Sequence, residues 1–171
     1  MLIQSRRWSW FGVLVNLNLR PPDKGLYVTT SNIERFDVYT GLIFARLYAA
    51  FPIRTDLFDH DVIPGAWQNG EFMPEAYKAD NEFVRATIYW LKDAGFIAVE
   101  ISNLGLFRAV LTSKGLEVLK ATPSSLSNGP SLGERITNAA KEEGKETMRS
   151  LVSEALGIGA RLISPLVGLS S

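Results

Sequence analysis

The sequence predicts an α+β fold, because the apolar residues change their spacing within one continuous stretch. From residue 81 to 95 they recur every three or four positions, which is typical of an amphipathic helix. From 96 to 101 the spacing becomes two, which is typical of a half-buried strand. A second apolar run at 106–111 and another helical pattern to residue 121 follow. The stretch therefore predicts a helix, a β-hairpin and a second helix in that order.

Residues at the ends of these elements have the expected capping and turn chemistry. Asp80 stands where a helix beginning at the next residue needs an N-cap acceptor, and Gly95 stands where it needs a left-handed C-cap residue. The tetrapeptide 102–105 contains Asn and Gly, which tolerate the positive φ of a tight turn. Thr112 is placed to cap the last helix.

An earlier helix is predicted by a capping box. Ser31 is followed three residues later by Glu34, the spacing at which the two side chains satisfy each other's backbone N–H groups. The apolar pattern runs to about Phe51 and Pro52 ends it. Gly41 weakens the helix locally, which indicates a close contact with another helix.

The region between this helix and residue 80 is harder to interpret. We expect a short helix over Arg54–Val62, a loop over 64–70 and one further helical turn over Met73–Tyr77. The role of the insertion 64–79 stays open.

The amino-terminal segment 1–30 predicts a strand. An apolar run from Trp8 to Val15 follows two arginines, as in an export signal, but Asn16 interrupts it and no cleavage site follows. The run is also shorter than the ~20 apolar residues that span a bilayer. Apolar residues alternate in its second half, which favours β-structure over export, and its role stays open.

The order of helix, two-stranded wing and the helix that begins LTSKG (111–115) resembles the winged helix-turn-helix superfamily. The resemblance covers about half of the chain and assigns 31–123 to a winged-helix-like core. It implies DNA binding, with the helix from residue 81 as the recognition helix and a dimer as the binding form. In such units the two central helices stand a few residues apart, whereas here the gap is much longer.

A linker over 124–130 is predicted by its Pro, Ser and Gly content, and 131–171 is predicted to be a helical segment whose long amphipathic helix ends at Pro165. Ser131 and Glu134 form a second capping box. We expect an interruption near Gly144, and a break or bend at Gly157 and Gly159. The apolar stripe contains Leu132, Ile136, Met148, Leu151, Val152, Ala155, Leu162 and Ile163.

Such a stripe does not remain exposed in water, and two arrangements cover it. It either clamps the core of its own chain or pairs with a second copy in a dimer. Contact with a membrane surface is disfavoured, because Arg161 is the only cation in the last turns.

Composition limits the chemistry. The chain has no Cys and one His, so disulfides, thiolate nucleophiles and sites with two imidazoles are excluded for these 171 residues. His60 lies between two aspartates, which we interpret as a solvated acidic turn rather than a metal site. No phosphate-binding glycine loop and no carboxylate pair in an apolar setting is recognisable. We therefore expect a cytoplasmic protein that is not an enzyme and uses neither metal nor cofactor.

The candidate DNA-binding residues are Arg85, Tyr89 and Lys92 on the outer face of the helix, and Arg108 on the wing. The balance of basic and acidic residues argues against DNA binding by these residues. Eighteen basic and eighteen acidic residues cancel over the whole chain, while 31–123 holds nine basic and twelve acidic residues. The wing tip has no Lys or Arg.

Two functions therefore stay open. The first is a non-catalytic regulator that binds DNA through the winged unit as a dimer. The alternative is a winged-helix module that binds protein, such as an adaptor or an antitoxin- or immunity-like partner, and that does not bind DNA. An apolar wing tip suits a protein contact better than a phosphate contact.

Overall fold

The computed structural model describes residues 31–101, 107–122, 129–142 and 144–162. The predicted amino-terminal strand (1–30), the wing turn (102–105), most of the linker and Ile163 lie outside these ranges. Helices and small antiparallel sheets make up the described residues, which confirms the α+β class.

The helices of the described ranges are α1 (Asn32–Ala50), α2 (Asp59–Val62), α3 (Pro74–Asp93), α4 (Ser113–Lys120), α5 (Leu132–Lys141) and α6 (Lys145–Arg161). The strands are β1 (Thr55–Leu57), β2 (Trp67–Gln68), β3 (Glu71–Phe72), β4 (Ile97–Ile101) and β5 (Phe107–Leu111).

Helix α1 is the element around which the others pack. It contacts α3, α5, α6, β1 and β5, and every residue from Tyr39 to Ala45 is buried. A helix that is buried on all sides in this way belongs to the centre of a core. Gly41 allows the approach of α6, because a Cβ built there would overlap the side chain of Met148. The close helix contact predicted at Gly41 is therefore confirmed.

Three antiparallel strands form the larger sheet in the order β1–β5–β4. The predicted hairpin β4–β5 is present, with Ile97 opposite Leu111 and Ile101 opposite Phe107. The helix expected over Arg54–Val62 is wrong in its first half, because Thr55–Leu57 instead pairs with β5. A strand this short is held by its partner rather than by its own sequence.

The start of α3 also differs from the prediction. The helix begins at Pro74, seven residues before the expected start, with proline in its first turn. Asp80 is not an N-cap. It is buried within the helix, where its carboxylate pairs with the Arg35 guanidinium of α1, which also lies 4.2 Å from the centre of the Phe83 ring. This ion pair joins α1 to α3.

The other predicted caps are confirmed. Ser31 and Ser131 both form complete capping boxes, and the Thr112 hydroxyl accepts a hydrogen bond from the Gly115 N–H at 3.1 Å. Gly95 has a φ of 77°, the left-handed conformation expected after α3.

The carboxyl-terminal segment forms two helices rather than one long one. The chain leaves the helical path between Lys141 and Lys145, at the expected interruption. Gly157 and Gly159 do not break α6, which continues to Arg161. Gly159 is instead a contact point, because a Cβ there would approach the Phe96 ring to 2.5 Å.

Both helices pack onto the rest of this chain. The Leu132 N–H donates to the carbonyl of Ala121 at 2.9 Å, so α5 begins beside the residue that follows α4. Leu162 is 40% exposed, because it follows the last turn of α6. Six residues of the predicted stripe belong to the same hydrophobic cluster as α1 and the sheet: Leu132, Ile136, Met148, Leu151, Val152 and Ala155.

The seam between α1 and α6 contains a carboxyl group with a shifted pKa. Burial raises the pKa of Asp37 above its ordinary value, the Arg149 guanidinium opposes this and the Glu34 carboxylate adds to it. Arg149 itself contacts Glu34 at 2.9 Å. Because the folded state holds the Asp37 proton more tightly than the unfolded chain does, folding stability falls as pH rises through the Asp37 pKa.

We therefore expect Asp37→Asn to remove a pH-dependent loss of stability. Asparagine resembles the protonated carboxyl, so the variant gains stability relative to the parent as pH rises from the acid range to neutrality. The gain is small because the site is partly solvated. Urea unfolding of both proteins over that pH range measures it, and a gain that is largest in acid would contradict the assignment.

Candidate functional site

Two of the predicted DNA-binding residues lie on one aromatic ring. The Arg85 guanidinium lies 5.0 Å from the centre of the Phe107 ring, and the Tyr89 ring meets the same ring edge-on at 5.6 Å. Phe107 is buried on β5. Arg85 and Tyr89 therefore cover the inner face of the wing strand, and Arg85 is only partly exposed.

The exposed charges of α3 have mixed signs. Lys92 is exposed, and its ammonium lies 3.4 Å from the Asp93 carboxylate. Lys78, nearer the start of the helix, lies 3.2 Å from Glu75. Glu82 adds a third exposed carboxylate. The outer face of this helix thus carries three carboxylates against two ammonium groups, and each ammonium group has a carboxylate beside it.

Arg108 lies on the opposite face of the sheet from the Phe107 ring, because neighbouring side chains of a strand alternate. It stands between two carboxylates in the register of the sheet, with Asp56 on β1 and Glu100 on β4. Its Nε lies 3.6 Å from the Asp56 carboxylate, and the Arg54 Nε lies 3.4 Å from Glu100. Arg108 therefore belongs to a ladder of alternating charges.

The structure brings Arg85 and Tyr89 together, places Lys92 near the end of the same helix, and turns Arg108 away from them. A DNA-binding face needs cations that lie side by side along the phosphates. These four residues do not form one positive stripe.

A different surface was not anticipated from the sequence. Five rings from the start of α2, the β2–β3 hairpin and α3 contact one another in a continuous group, which we call the aromatic patch: Phe58, His60, Trp67, Phe72 and Tyr77. Trp67 and Phe72 are 50% and 41% exposed. Aromatic residues of this kind are enriched at the contact surfaces of proteins.

Local geometry explains how the hairpin presents these rings. Trp67 and Phe72 are opposite each other on β2 and β3, with ring centres 5.5 Å apart. Asn69 and Gly70 both have positive φ, at 51° and 84°, as a two-residue hairpin turn with the correct twist requires. The Met73 N–H donates to the Ala66 carbonyl at 2.8 Å and closes the base of the hairpin.

His60 lies inside this patch, so its interpretation as part of a solvated acidic turn is wrong. Its ring stacks on Phe58 at 5.1 Å and meets Trp67 at 5.9 Å, while its Nε2 lies 3.4 Å from Asp61. Asp61 in turn lies 2.8 Å from the Arg46 guanidinium of α1. These contacts fix the imidazole against the rings.

A signal for the hairpin was present in the sequence. Asn-Gly between two short segments that each contain an aromatic residue is a strong short-range indication of a hairpin, and 67–72 reads WQNGEF. The loop predicted over 64–70 missed it. Phe58 and Tyr77 gave no such signal, because only the packing of α2 and α3 brings them to the hairpin.

Among the described lysines, Lys114 has a shifted pKa. Burial lowers its pKa. The ammonium donates to the Ala94 carbonyl at 2.8 Å and lies 4.2 Å from the centre of the Phe96 ring, two contacts that favour the charged form and oppose that shift. The cation closes the carboxyl end of α3, where the helix dipole favours positive charge.

Within the described ranges, no three His, Asp or Glu side chains come together as metal ligands. None of the helices described is both long enough and apolar enough to cross a membrane. The chain gave no significant match to protein-family profiles, to curated proteins or to solved structures.

Proposed function

We propose that this chain is a non-catalytic protein-interaction module with a winged-helix-like core. Of the two functions expected from the sequence, this is the one the surface favours. The observation that carries the proposal is the pairing of charges on the predicted DNA-binding face. Lys92 has Asp93 beside it, and Arg108 stands between Asp56 and Glu100.

The order of elements supports the winged-helix part of the proposal. Three helices (α1, α2 and α3) precede the hairpin β4–β5, and β1 adds a third strand beside β5. The small hairpin β2–β3 is inserted between α2 and α3, where a helix-turn-helix unit has only a tight turn. The insertion changes how the chain enters α3, and it carries rings of the aromatic patch.

The exposed groups support protein rather than DNA as the ligand. Aromatic residues are enriched at protein interfaces. Duplex DNA instead requires several unpaired cations to release counterions from its phosphates. The outer faces of α3 and β5 do not provide such a set, whereas Trp67 and Phe72 provide exposed apolar area.

A duplex-binding assay at low salt tests the proposal. We expect random-sequence duplex DNA not to bind measurably, and we expect Arg85→Ala and Lys92→Ala to leave that result unchanged. Fluorescence anisotropy of a labelled duplex, read over a salt series, gives the measurement. Lys120→Ala is the matched control, because it removes one exposed cation from α4, away from the predicted face.

Binding that weakens selectively in the first two variants would overturn the proposal. In that case each lost phosphate contact lowers the log–log salt slope by about one unit, and Lys120→Ala leaves the slope as it is. That pattern would restore DNA-binding regulation as the function.

A further inference from the structure

Trp67 and Phe72 of the aromatic patch are about half exposed to solvent, and they lie in an acidic segment of the sequence. The faces of aromatic rings carry negative potential and attract cations, most strongly for Trp. They also stack with nucleic-acid bases, so ring exposure alone does not decide between a cationic and a nucleic-acid ligand. The charges near the rings decide between these two kinds of ligand.

Segment 58–78, which supplies all five rings, is strongly acidic. It contains one lysine, Lys78, whose ammonium lies 3.2 Å from Glu75. The Arg46 guanidinium of α1, which reaches the same region, lies 2.8 Å from Asp61. The segment's acidic residues are Asp59, Asp61, Glu71 and Glu75.

A single nucleic-acid strand that stacks on rings also needs cations along its backbone. The segment that carries the rings instead has four acidic residues against one lysine. Lys78 and Arg46 pair with Glu75 and Asp61, so the region keeps a net negative charge. The same arrangement suits a positive ligand, because ring faces and carboxylates both attract it.

We propose that the aromatic patch binds an arginine-bearing segment of a partner protein, with a guanidinium group against the Trp67 ring. Arginine fits better than lysine, because its planar group stacks on a ring while its N–H groups reach nearby carboxylates. This inference rests on the proposed function and narrows it to the chemistry of the partner.

The chain already uses this contact internally. The Arg35 guanidinium lies 4.2 Å from the centre of the Phe83 ring while it pairs with the Asp80 carboxylate. A guanidinium held by a ring and a carboxylate together is the geometry that the patch would give a partner's arginine.

The test is a titration of the full chain into a fluorescein-labelled oligo-arginine peptide, followed by fluorescence anisotropy. We expect Trp67→Ala and Trp67→Leu to weaken binding by about three- to thirtyfold. Trp67→Leu keeps an apolar side chain against Phe72 and therefore protects the hairpin from collapse. Trp90→Ala is the matched control: Trp90 is 47% exposed, close to Trp67 in this respect, but packs against Phe36 and Phe96 outside the patch.

The control variant is expected to bind within about twofold of the parent. Unchanged binding in Trp67→Leu would show that the peptide senses only overall charge, and equal losses in Trp90→Ala and Trp67→Leu would show that binding is not specific to the patch. Either result would overturn the inference. An oligo-lysine peptide that binds as tightly as oligo-arginine would overturn the arginine preference. Thermal melts of all variants identify any that lose the fold. The affinity of the Trp67→Leu protein for oligo-arginine then decides whether the patch is the binding site.

Oligo-deoxythymidine is the competing probe. Tighter binding of this probe than of oligo-arginine, lost in Trp67→Leu, would overturn the inference and assign the patch to single-stranded nucleic acid. A failure of the patch leaves the proposed function intact, because that function is judged by duplex DNA and by Arg85 and Lys92.

Discussion

Gly115→Ala is expected to lower the melting temperature by about 6–12 °C. A methyl group at this position on α4 would overlap the backbone carbonyl oxygen of Phe96 and lie 3.1 Å from its carbonyl carbon. That carbonyl cannot move freely, because it accepts from the Thr112 N–H at 3.1 Å and lies 3.0 Å from the Thr112 hydroxyl. Overpacking against fixed backbone costs about 3 kcal/mol, and 1 kcal/mol shifts a protein of this size by about 2–4 °C.

Gly157→Ala is the matched control, and its effect has the opposite sign. Gly157 is also a helical glycine, but it is exposed and a Cβ there meets no atom within 4 Å. Alanine stabilises a helix interior by about 0.5–1 kcal/mol relative to glycine. Thermal unfolding followed by circular dichroism compares the two variants with the parent. A Gly115→Ala protein as stable as the parent would mean that α4 does not contact the Phe96 backbone as described.

These two glycines show where sequence reasoning reached its limit. Gly157 was expected to break or bend the last helix, because glycine is a poor helix former. It lies inside α6, since the packing of Val152 and Ala155 outweighs the local preference. The tight packing at Gly115 could not be predicted from the sequence, because the close approach of Phe96 is a tertiary contact.

Local signals were reliable wherever a side chain bonds to the backbone within four residues. Ser31, Thr112 and Ser131 all cap helices as expected, and Gly95 ends one. These contacts depend only on neighbouring residues, so the sequence contains the whole interaction. The period-two pattern over 96–101 was equally local, and the strand that it predicts is present as β4.

Errors occurred where the partner is distant. Asp80 has the chemistry of an N-cap, but Arg35, forty-five positions earlier, holds it inside α3. The three residues of β1 show no periodicity and exist as a strand only through β5. The candidate site shows the same limit. The Asn69-Gly70 turn can be predicted from the sequence, whereas the contacts among the five rings cannot.

Val152→Asp is expected to abolish the folded state or nearly so. The Val152 side chain has no exposed surface, and it belongs to the hydrophobic cluster that joins α6 to α1 and the sheet. A carboxylate there either loses its hydration without an ion-pair partner or takes up a proton at a cost. The penalty of about 4 kcal/mol or more is comparable to the total stability of many domains, which is about 5–15 kcal/mol.

Ser153→Asp is the matched control, because it introduces the same charge at the next, exposed residue. Its stability is expected to stay within about 0.5 kcal/mol of the parent. Val152→Ala provides a graded variant that still folds, with a loss of about 2 kcal/mol from the deleted methyl groups. Urea unfolding gives the three free energies of unfolding.

The same variants separate the two arrangements predicted for the apolar stripe. If α5 and α6 clamp their own core, as the packing on α1 indicates, Val152→Asp loses its melting transition or aggregates. If the stripe were a dimer seam, size-exclusion chromatography with light scattering would instead show a folded variant at half the parent mass. Because Val152 packs within its own chain, the loss of fold is the outcome we expect, with Ser153→Asp keeping the parent's mass and transition.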